Sequence, residues 1–367
     1  MKTTTKIKIL TDKNGKKVLL DTMEAFNDAC NEIAAVCFKE HSANKFGVQK
    51  IVYHSIRAKY GLSAQLTIRA IAKACESYKL NKKVCPKFKK RGCITYDQRI
   101  LTFKGMDLAY PQVSLTTLEG RKLFNIAIRD YYKGRTDRIV GQVDLVYRDS
   151  EFYLYASTDM PENTPINPEN IIGVDLGVNN IAVSSDRQVF ASDNLEKVRL
   201  RYLKQRSQLQ AKQTKASKKK LREISGREAR FRSDTNHCIS KKLVKTAKDT
   251  NSAIALEDLT GINERGTVRK SQRAKRHSWA FYQLRMFITY KAALAGVPVV
   301  LVDPRNTSRM CRMCGHTEKA NRKSQEVFCC KSCGHSENAD YNAACNIAAR
   351  GASIIPLWSV KPLLKVA

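Results

Sequence analysis

The spacing of apolar residues changes rhythm several times along the chain, and each change marks a candidate structural unit. Residues 6–10 and 17–20 read as two short strands around the turn Asp12-Lys-Asn-Gly15. Asp21 and Glu24 have the spacing of a helix-capping pair, and Met23, Phe26, Cys30, Ile33 and Cys37 then recur with a helical period. Two further helices fit residues 48–60, stopped by Gly61, and 63–78. Cys30, Cys37 and Cys75 fall on these apolar faces and read as core residues.

After a basic stretch holding Lys87, Lys89, Lys90 and Arg91, the period shortens to two. Residues 100–103 and 112–115 alternate, and 143–147 and 152–156 form a hairpin-like pair around Arg148-Asp-Ser-Glu151. Strands on both sides of a helical block predict a small β-barrel with helices inserted into it. Residues 161–170 read as a linker, with prolines at 161, 165 and 168.

A second regime begins at Ile171. Ile171-Ile-Gly-Val-Asp-Leu-Gly177 is a buried strand carrying one carboxylate, and 181–184 is the next strand. A basic helical region over 199–230 and a helix over 236–249 lead to a strand at 252–256 that ends in Glu257-Asp258. A basic, glycine-containing loop over 261–276, a helix over 278–295 and a buried strand over 298–302 complete the series. Strand–helix alternation of this kind predicts an α/β unit after an α+β one, interrupted near its end by a cysteine-rich segment.

Composition adds a partner and a compartment. The 367 residues leave room for two or three domains, and 43% hydrophobic content fits a globular chain. No run of eighteen apolar residues appears, and Met1-Lys-Thr-Thr-Thr-Lys lacks the apolar centre of a signal peptide, so the expectation is a cytoplasmic protein with no membrane partner. Twelve cysteines agree with a reducing compartment that favours metal ligands over disulfides. Sixty-six Lys and Arg against 34 Asp and Glu give a formal charge of +32. That exceeds the magnitude of about 2–8 common for a small domain, and it points to a polyanion, nucleic acid. Within 199–230, twelve basic residues face only Glu223 and Glu228, a bias beyond that of a merely solvated helix.

Two Cys-x-x-Cys-Gly knuckles, Cys311/Cys314 and Cys330/Cys333, stand fifteen residues apart. Four thiolates at this spacing suit tetrahedral zinc, one Zn²⁺ in a closed structural site. An iron–sulfur site or redox dithiol is the competing reading. Cys329 beside Cys330 leaves the register ambiguous, and His316 and His335 are spare candidates. Three carboxylates are candidates for chemistry: Asp175 in its apolar strand, Glu257 at a strand end and Asp340 at a helix start. If they converge, with no histidine nearby, they suit a hard cation such as Mg²⁺, about two ions serving phosphodiester hydrolysis. No Walker loop, GxGxxG or G-x-S-x-G motif appears. The two glycines of Gly173-Val-Asp-Leu-Gly177 let a metal and a backbone approach the strand.

In these residues the chain resembles TnpB, the transposon-encoded RNA-guided nuclease family related to type V CRISPR effectors. The resemblance runs through Gly173-Val-Asp175-Leu-Gly177 with Asn180 and Ala182, Leu256-Glu257-Asp-Leu259, Ser278-Trp279, Tyr290-Lys-Ala292, Gly296 and Pro304-x-x-Thr307-Ser308. It continues through both knuckles and Asn338-Ala-Asp340-x-Asn-Ala-Ala344-x-Asn346-Ile347, and so covers roughly the C-terminal half. It implies an RNase H-like, RuvC-type nuclease over 169–310 and 335–367, with Asp175, Glu257 and Asp340 holding Mg²⁺. It also implies a target-nucleic-acid-binding zinc ribbon inserted at 311–334. By outline alone, the N-terminal half implies a wedge barrel over 1–20 and 85–168 with a helical recognition insert over 21–84. Asn338 departs from members that carry an aspartate there.

The activity implied is RNA-guided DNA endonuclease, with guide RNA and target double-stranded DNA as partners, on a monomer or weak dimer associated with the nucleoid. Arg199, Arg201, Lys204, Lys218, Lys219, Lys220 and Arg222, with Arg269 and Lys270 of the basic loop, are the expected nucleic-acid contacts. The alternatives are a guide-dependent repressor or transposition regulator that does not cut, and a guide-independent structure-selective nuclease. Direct transposition is disfavoured, since no His-hydrophobic-His with a partner tyrosine is found.

Overall fold

The computed structural model describes residues 1–106, 110–132, 134–177, 179–259 and 281–354, which fall into two compact units, Met1–Pro161 and Glu162–Ala367. The expected residues Arg269 and Lys270, and the loop 261–276, lie outside the described residues.

The first unit is built on a seven-stranded, wholly antiparallel sheet. Its strands are β1 (Lys2–Leu10), β2 (Ile94–Tyr96), β3 (Leu101–Lys104), β4 (Gln112–Thr117), β5 (Gly120–Ile128), β6 (Ile139–Arg148) and β7 (Glu151–Asp159), in the order β2-β6-β7-β1-β5-β4-β3. The sheet curls into a nearly closed barrel. The Tyr96 hydroxyl on edge strand β2 donates to the Thr116 carbonyl on β4, 3.0 Å away, and the Thr116 amide donates to Ile100. Between β1 and β2 come three helices, α1 (Lys13–Lys39), α2 (Lys45–Tyr60) and α3 (Ala64–Leu80). Phe26, Ile33, Leu66 and Ile71 of the helices share one buried core with Ile7, Val113, Leu145 and Phe152 of the sheet. Cys30, Cys37 and Cys75 are buried in it.

One expected strand is absent. Residues 17–20 lie in the first turns of α1, and Asp21 and Glu24 therefore sit inside the helix rather than at its start. Asp12 is the cap, its Oδ1 accepting from the Gly15 amide at 2.7 Å. Val18, Leu19, Thr22, Met23 and Phe26 are buried, a helical period that four residues read alone cannot distinguish from alternation. Glu24 instead pairs with Arg91 at 3.1 Å.

The second unit has a five-stranded sheet of β8 (Asn170–Asp175), β9 (Asn180–Ser184), β10 (Val189–Ala191), β11 (Ser252–Glu257) and β12 (Val299–Val302), in the order β10-β9-β8-β11-β12. The first three pair antiparallel, and β11 and β12 join in parallel. The helices are α4 (Asp193–Lys212), α5 (Lys215–Ser225), α6 (Arg227–Asp249), α7 (Phe281–Ala295) and α8 (Ala339–Ile354). The basic region 199–230 is thus three helical pieces, broken at Gln213, with φ of 48°, and at Gly226. Helix α6 begins at Arg227, well before the expected Asn236; its first turns are polar and carry no apolar period, and its buried residues start only at Asn236.

Both faces of this sheet are covered, which explains the unbroken apolar runs of its central strands. Ile172, Val174, Ile254 and Leu256 pack against Ile239 and Leu243 of α6 and Leu284 and Ile288 of α7. Ile171, Ala253, Ala255 and Val302 meet Ile347 of α8 on the other face. Helix α8 lies so close to β8 that a Cβ on Gly173 would overlap the Ala344 carbonyl and the Ala348 amide. Both obstacles are backbone, so Gly173→Ala should displace the helix and cost about 3 kcal/mol or more, the upper end of overpacking penalties. Thermal unfolding measures it; an unchanged melting temperature would show that the helix yields freely.

The cysteine-rich segment carries a small hairpin, β13 (Val327–Cys329) with β14 (Ser336–Asn338). Its sheet therefore runs past the expected end at 334, up to the first residue of α8.

Candidate active site

Parallel pairing of β8 with β11 sets the acids side by side. Leu256 pairs with Val174, so Glu257 and Asp175 follow together at the same sheet end. The close approach at Gly173 lays the first turn of α8, with Asp340, beside them. Asp340 is 4% exposed, and its two oxygens accept from Asn180 Nδ2 at 2.9 Å and from the Arg322 guanidinium at 3.2 Å. Glu257 Oε1 accepts from the Thr307 hydroxyl at 2.5 Å.

The electrostatics show how crowded this end is. Burial, and then the negative charges of Glu257 and Asp340, push the Asp175 carboxyl up to about 8, with the Arg322 cation opposing. Burial also raises Glu257, against the Thr307 hydroxyl and the Arg350 cation. An oxygen-only donor set under mutual repulsion is what a hard divalent cation relieves, so the residues fit Mg²⁺. Among the described residues, however, only the four ribbon cysteines bring three or more donor atoms within 4.8 Å of one another. The carboxylates are neighbours without closing to that span.

A pH dependence follows. The folded chain keeps a proton on Asp175 that the unfolded chain, with its ordinary value of 3.8, has released. Without divalent ions, stability should therefore fall as pH rises from about 4 through about 8. Asp175→Asn should flatten that slope, and Mg²⁺ should offset it by binding the ionised form. Melting curves of both proteins across this range are the check; parallel wild-type and variant profiles would refute the assignment.

The ribbon sulfurs make the second site. Cys311 and Cys333 Sγ lie 3.7 Å apart, and Cys314 and Cys330 Sγ 3.6 Å apart. Tetrahedral zinc with bonds of about 2.3 Å gives sulfur–sulfur edges of about 3.8 Å, so the four residues fit that ion. The two knuckles share one geometry: Gly315 and Gly334 amides donate back to the Cys311 and Cys330 carbonyls, each glycine at φ of 74°. Amides of Cys333 and Ser332 pull the Cys330 thiol down to about 6, towards the thiolate that a metal needs. Cys329 lies outside the cluster, which settles the register. His316 and His335 approach Glu318 and Glu337 instead.

Of the expected nucleic-acid contacts, Arg201, Lys204, Lys218, Lys219, Lys220 and Arg222 are exposed on α4 and α5. Lys220 pairs with Glu223 at 3.1 Å. Arg199 differs: its guanidinium is held by both oxygens of Glu196, at 2.7 and 2.8 Å, and is largely occupied.

Two family models match the second unit and the strand before it: one described as “Probable transposase” over residues 153–261, the other as “Cas12f1-like, TNB domain” over 281–347. A TnpB-like protein of Methanocaldococcus jannaschii is 32% identical over 209 residues, 52% of this chain and 73% of that protein. The chain belongs to the TnpB family. Another relative, “Putative RNA-guided DNA endonuclease InsQ” of Escherichia coli, is 27% identical over 79% of this TnpB-family chain and 74% of its own length. The CRISPR-associated endodeoxyribonuclease Cas12f1 of Sulfoacidibacillus thermotolerans is 31% identical over 58% of the chain, and the match spans about half, 54%, of that protein. Among solved structures, a Cas12f1–sgRNA–target DNA complex superimposes with a TM-score of 0.61 at 14% identity, covering 90% of this chain and 82% of that one. The mini-RNA-guided endonuclease Cas-phi3 gives 0.59 at 11% identity, covering 96% and 92%. These likenesses establish a fold shared with Cas12 effectors. Among the described residues, no helix is long and apolar enough to cross a membrane.

Four polar side chains around the acids lay outside the sequence-based site: Asn180, Arg322, Thr307 and Asn338. Asn338 Oδ1 accepts from the Asp340 and Tyr341 amides, both at 3.0 Å, and so caps α8. Aspartate caps equally well; the departure at this position keeps the cap and adds no further charge beside Asp340. Asn180 and Thr307 stood in the family pattern, but nothing in their spacing announced a carboxylate partner.

Proposed function

We propose that this TnpB-family chain is an RNA-guided DNA endonuclease whose single RuvC-type site is formed by Asp175, Glu257 and Asp340. The observation that carries the reading is the convergence of three carboxylates, Asp340 buried and Asp175 and Glu257 half-buried, at one end of β8, β11 and α8, where both other acids disfavour the charge of Asp175. The strand order of the second unit and its interruption by the ribbon support an RNase H-like nuclease domain that begins near 169 and resumes, after the ribbon hairpin, at α8. The barrel and its helices support a wedge domain with a recognition insert in the first unit.

When bound, divalent ions supply an activated water and stabilise the leaving oxygen of a phosphodiester. Asp175, Glu257 and Asp340 would hold them, with Asn180 orienting Asp340. The ribbon cysteines would take one structural zinc and no part in the bond-breaking. Guide RNA and target DNA come to this chain from what its relatives are named for, together with its charge of +32. Exposed basic residues of α4 and α5 would track phosphates, so binding should weaken steeply with salt.

The test is purification with co-purifying RNA, sequencing of that RNA, and addition of matched double-stranded DNA with Mg²⁺. Cleavage that requires both the RNA match and the ion is expected. Stable binding with DNA left intact would favour the repressor instead, and cutting of branched DNA after RNA removal would favour a guide-independent nuclease.

A further inference from the structure

Glu257 reaches the site through a contact that the nuclease reading leaves unexplained. Thr307 lies after β12, on the stretch leading into the ribbon, and is only 2% exposed. Its Oγ1 stands 2.5 Å from Glu257 Oε1 and 3.0 Å from the Pro304 carbonyl. A hydroxyl has one proton, and the closer, charged acceptor is the stronger claimant. Glu257 Oε2 takes no hydrogen bond from any described residue.

Thr307 is itself fixed from the opposite side. The buried Asn346 side chain on α8 donates to the Thr307 carbonyl at 2.8 Å and to the Met310 carbonyl at 2.7 Å. The same helix carries Asp340. A closed path therefore runs from Glu257 through Thr307 and Asn346 to Asp340, and every link is a hydrogen bond or helix backbone.

Resting on the nuclease reading above, we propose that Thr307 is a positioning residue for the divalent-ion site: its hydroxyl holds one Glu257 oxygen and leaves the other free as a ligand. Thr307 would touch neither ion nor nucleic acid. Its effect would be on how tightly Glu257 helps to hold the ion, not on the chemistry once the ion is held. A turn-capping role alone predicts neither effect, since a cap can be lost without altering metal affinity.

The experiment is Mn²⁺ titration followed by electron paramagnetic resonance, on the full-length protein without nucleic acid, for wild type, Thr307→Val, Thr307→Ser and Asp175→Asn. Thr307→Val keeps the volume and removes the hydroxyl. It should weaken Mn²⁺ binding by about 10–100-fold, the usual cost of removing an outer-sphere partner. Thr307→Ser should restore affinity to near wild type, and zinc content should stay constant across the set. In parallel, the Mg²⁺ concentration for half-maximal cleavage by the guide-loaded Thr307→Val protein should rise in proportion, with the rate recovered at saturating Mg²⁺. Should Thr307→Val fail to fold, Thr307→Ala carries the same comparison. Wild-type affinity in Thr307→Val, or equal loss in the valine and serine variants, would overturn the proposal while leaving the nuclease reading intact. If Asp175→Asn binds Mn²⁺ as wild type does, the carboxylate site itself is wrong and both readings fall.

Discussion

Asp175→Ala is expected to cut matched DNA at least about 10³-fold more slowly than wild type, a loss of roughly 4 kcal/mol of transition-state stabilisation. Three features make Asp175 the most sensitive of the acids. It sits on the central strand β8, between β9 and β11, where backbone adjustment is least available. Its carboxyl is pushed up to about 8 by burial and by both other acids, so it lies at the electrostatic centre of the set. Removing it also relieves repulsion, so the variant should be at least as stable as wild type in the absence of metal. A loss of cleavage without loss of folding, RNA content or guided DNA binding is thus the signature. Filter binding and cleavage run on the same preparation separate the two, and cleavage at the wild-type rate would end the RuvC assignment.

The second large effect concerns the ribbon. Cys314→Ser should reduce zinc from one per chain towards none and unfold the segment around β13 and β14. Binding of structural zinc contributes on the order of 10–16 kcal/mol to folding such elements, far more than the small hairpin and its core of Cys311, Phe328, Cys330 and Ala339 can supply. Cleavage should fall with it, although no cysteine touches the acids. The mechanism is positional: Arg322 of the ribbon contacts Asp340, Arg312 pairs with Glu337 at 2.6 Å, and Asn342 of α8 donates to the Met310 carbonyl. Elemental analysis beside a cleavage assay checks this. A variant that kept both zinc and activity would show that Cys314 is not a ligand.

The legible parts of this molecule were those whose signal is local. The knuckles are four sulfurs in two short repeats, and each repeat contains the glycine that its own turn needs. The apolar strands around Asp175 and before Glu257 could be read because a sheet covered on both faces leaves uninterrupted runs. What escaped was either too short or too distant. Lys17-Val-Leu-Leu20 suits a strand as well as a helix until Asp12 is seen capping α1. The start of α6 was hidden because a polar first turn carries no period. The contacts of Asn180 and Arg322 with Asp340 join residues 160 and 18 positions apart. Arg199 looked like a free cation in sequence, but its partner Glu196 lies one helical turn back.

Strand β14 ends at Asn338 and helix α8 begins at Ala339, with the acid at the next position. There is no slack between the ribbon and the nuclease helix. A tilt of the hairpin would be transmitted through the Asn338 cap to Asp340, as a rudder stock carries the turn of its blade. Exchange of this ribbon for another should therefore be constrained less by its four clustered cysteines than by its last strand residue. A graft that preserves all four cysteines but shifts the strand-to-helix junction by one position would turn Asp340 by about 100°, the angle per residue of a helix with 3.6 residues per turn, and leave a folded, zinc-loaded protein with no third acid.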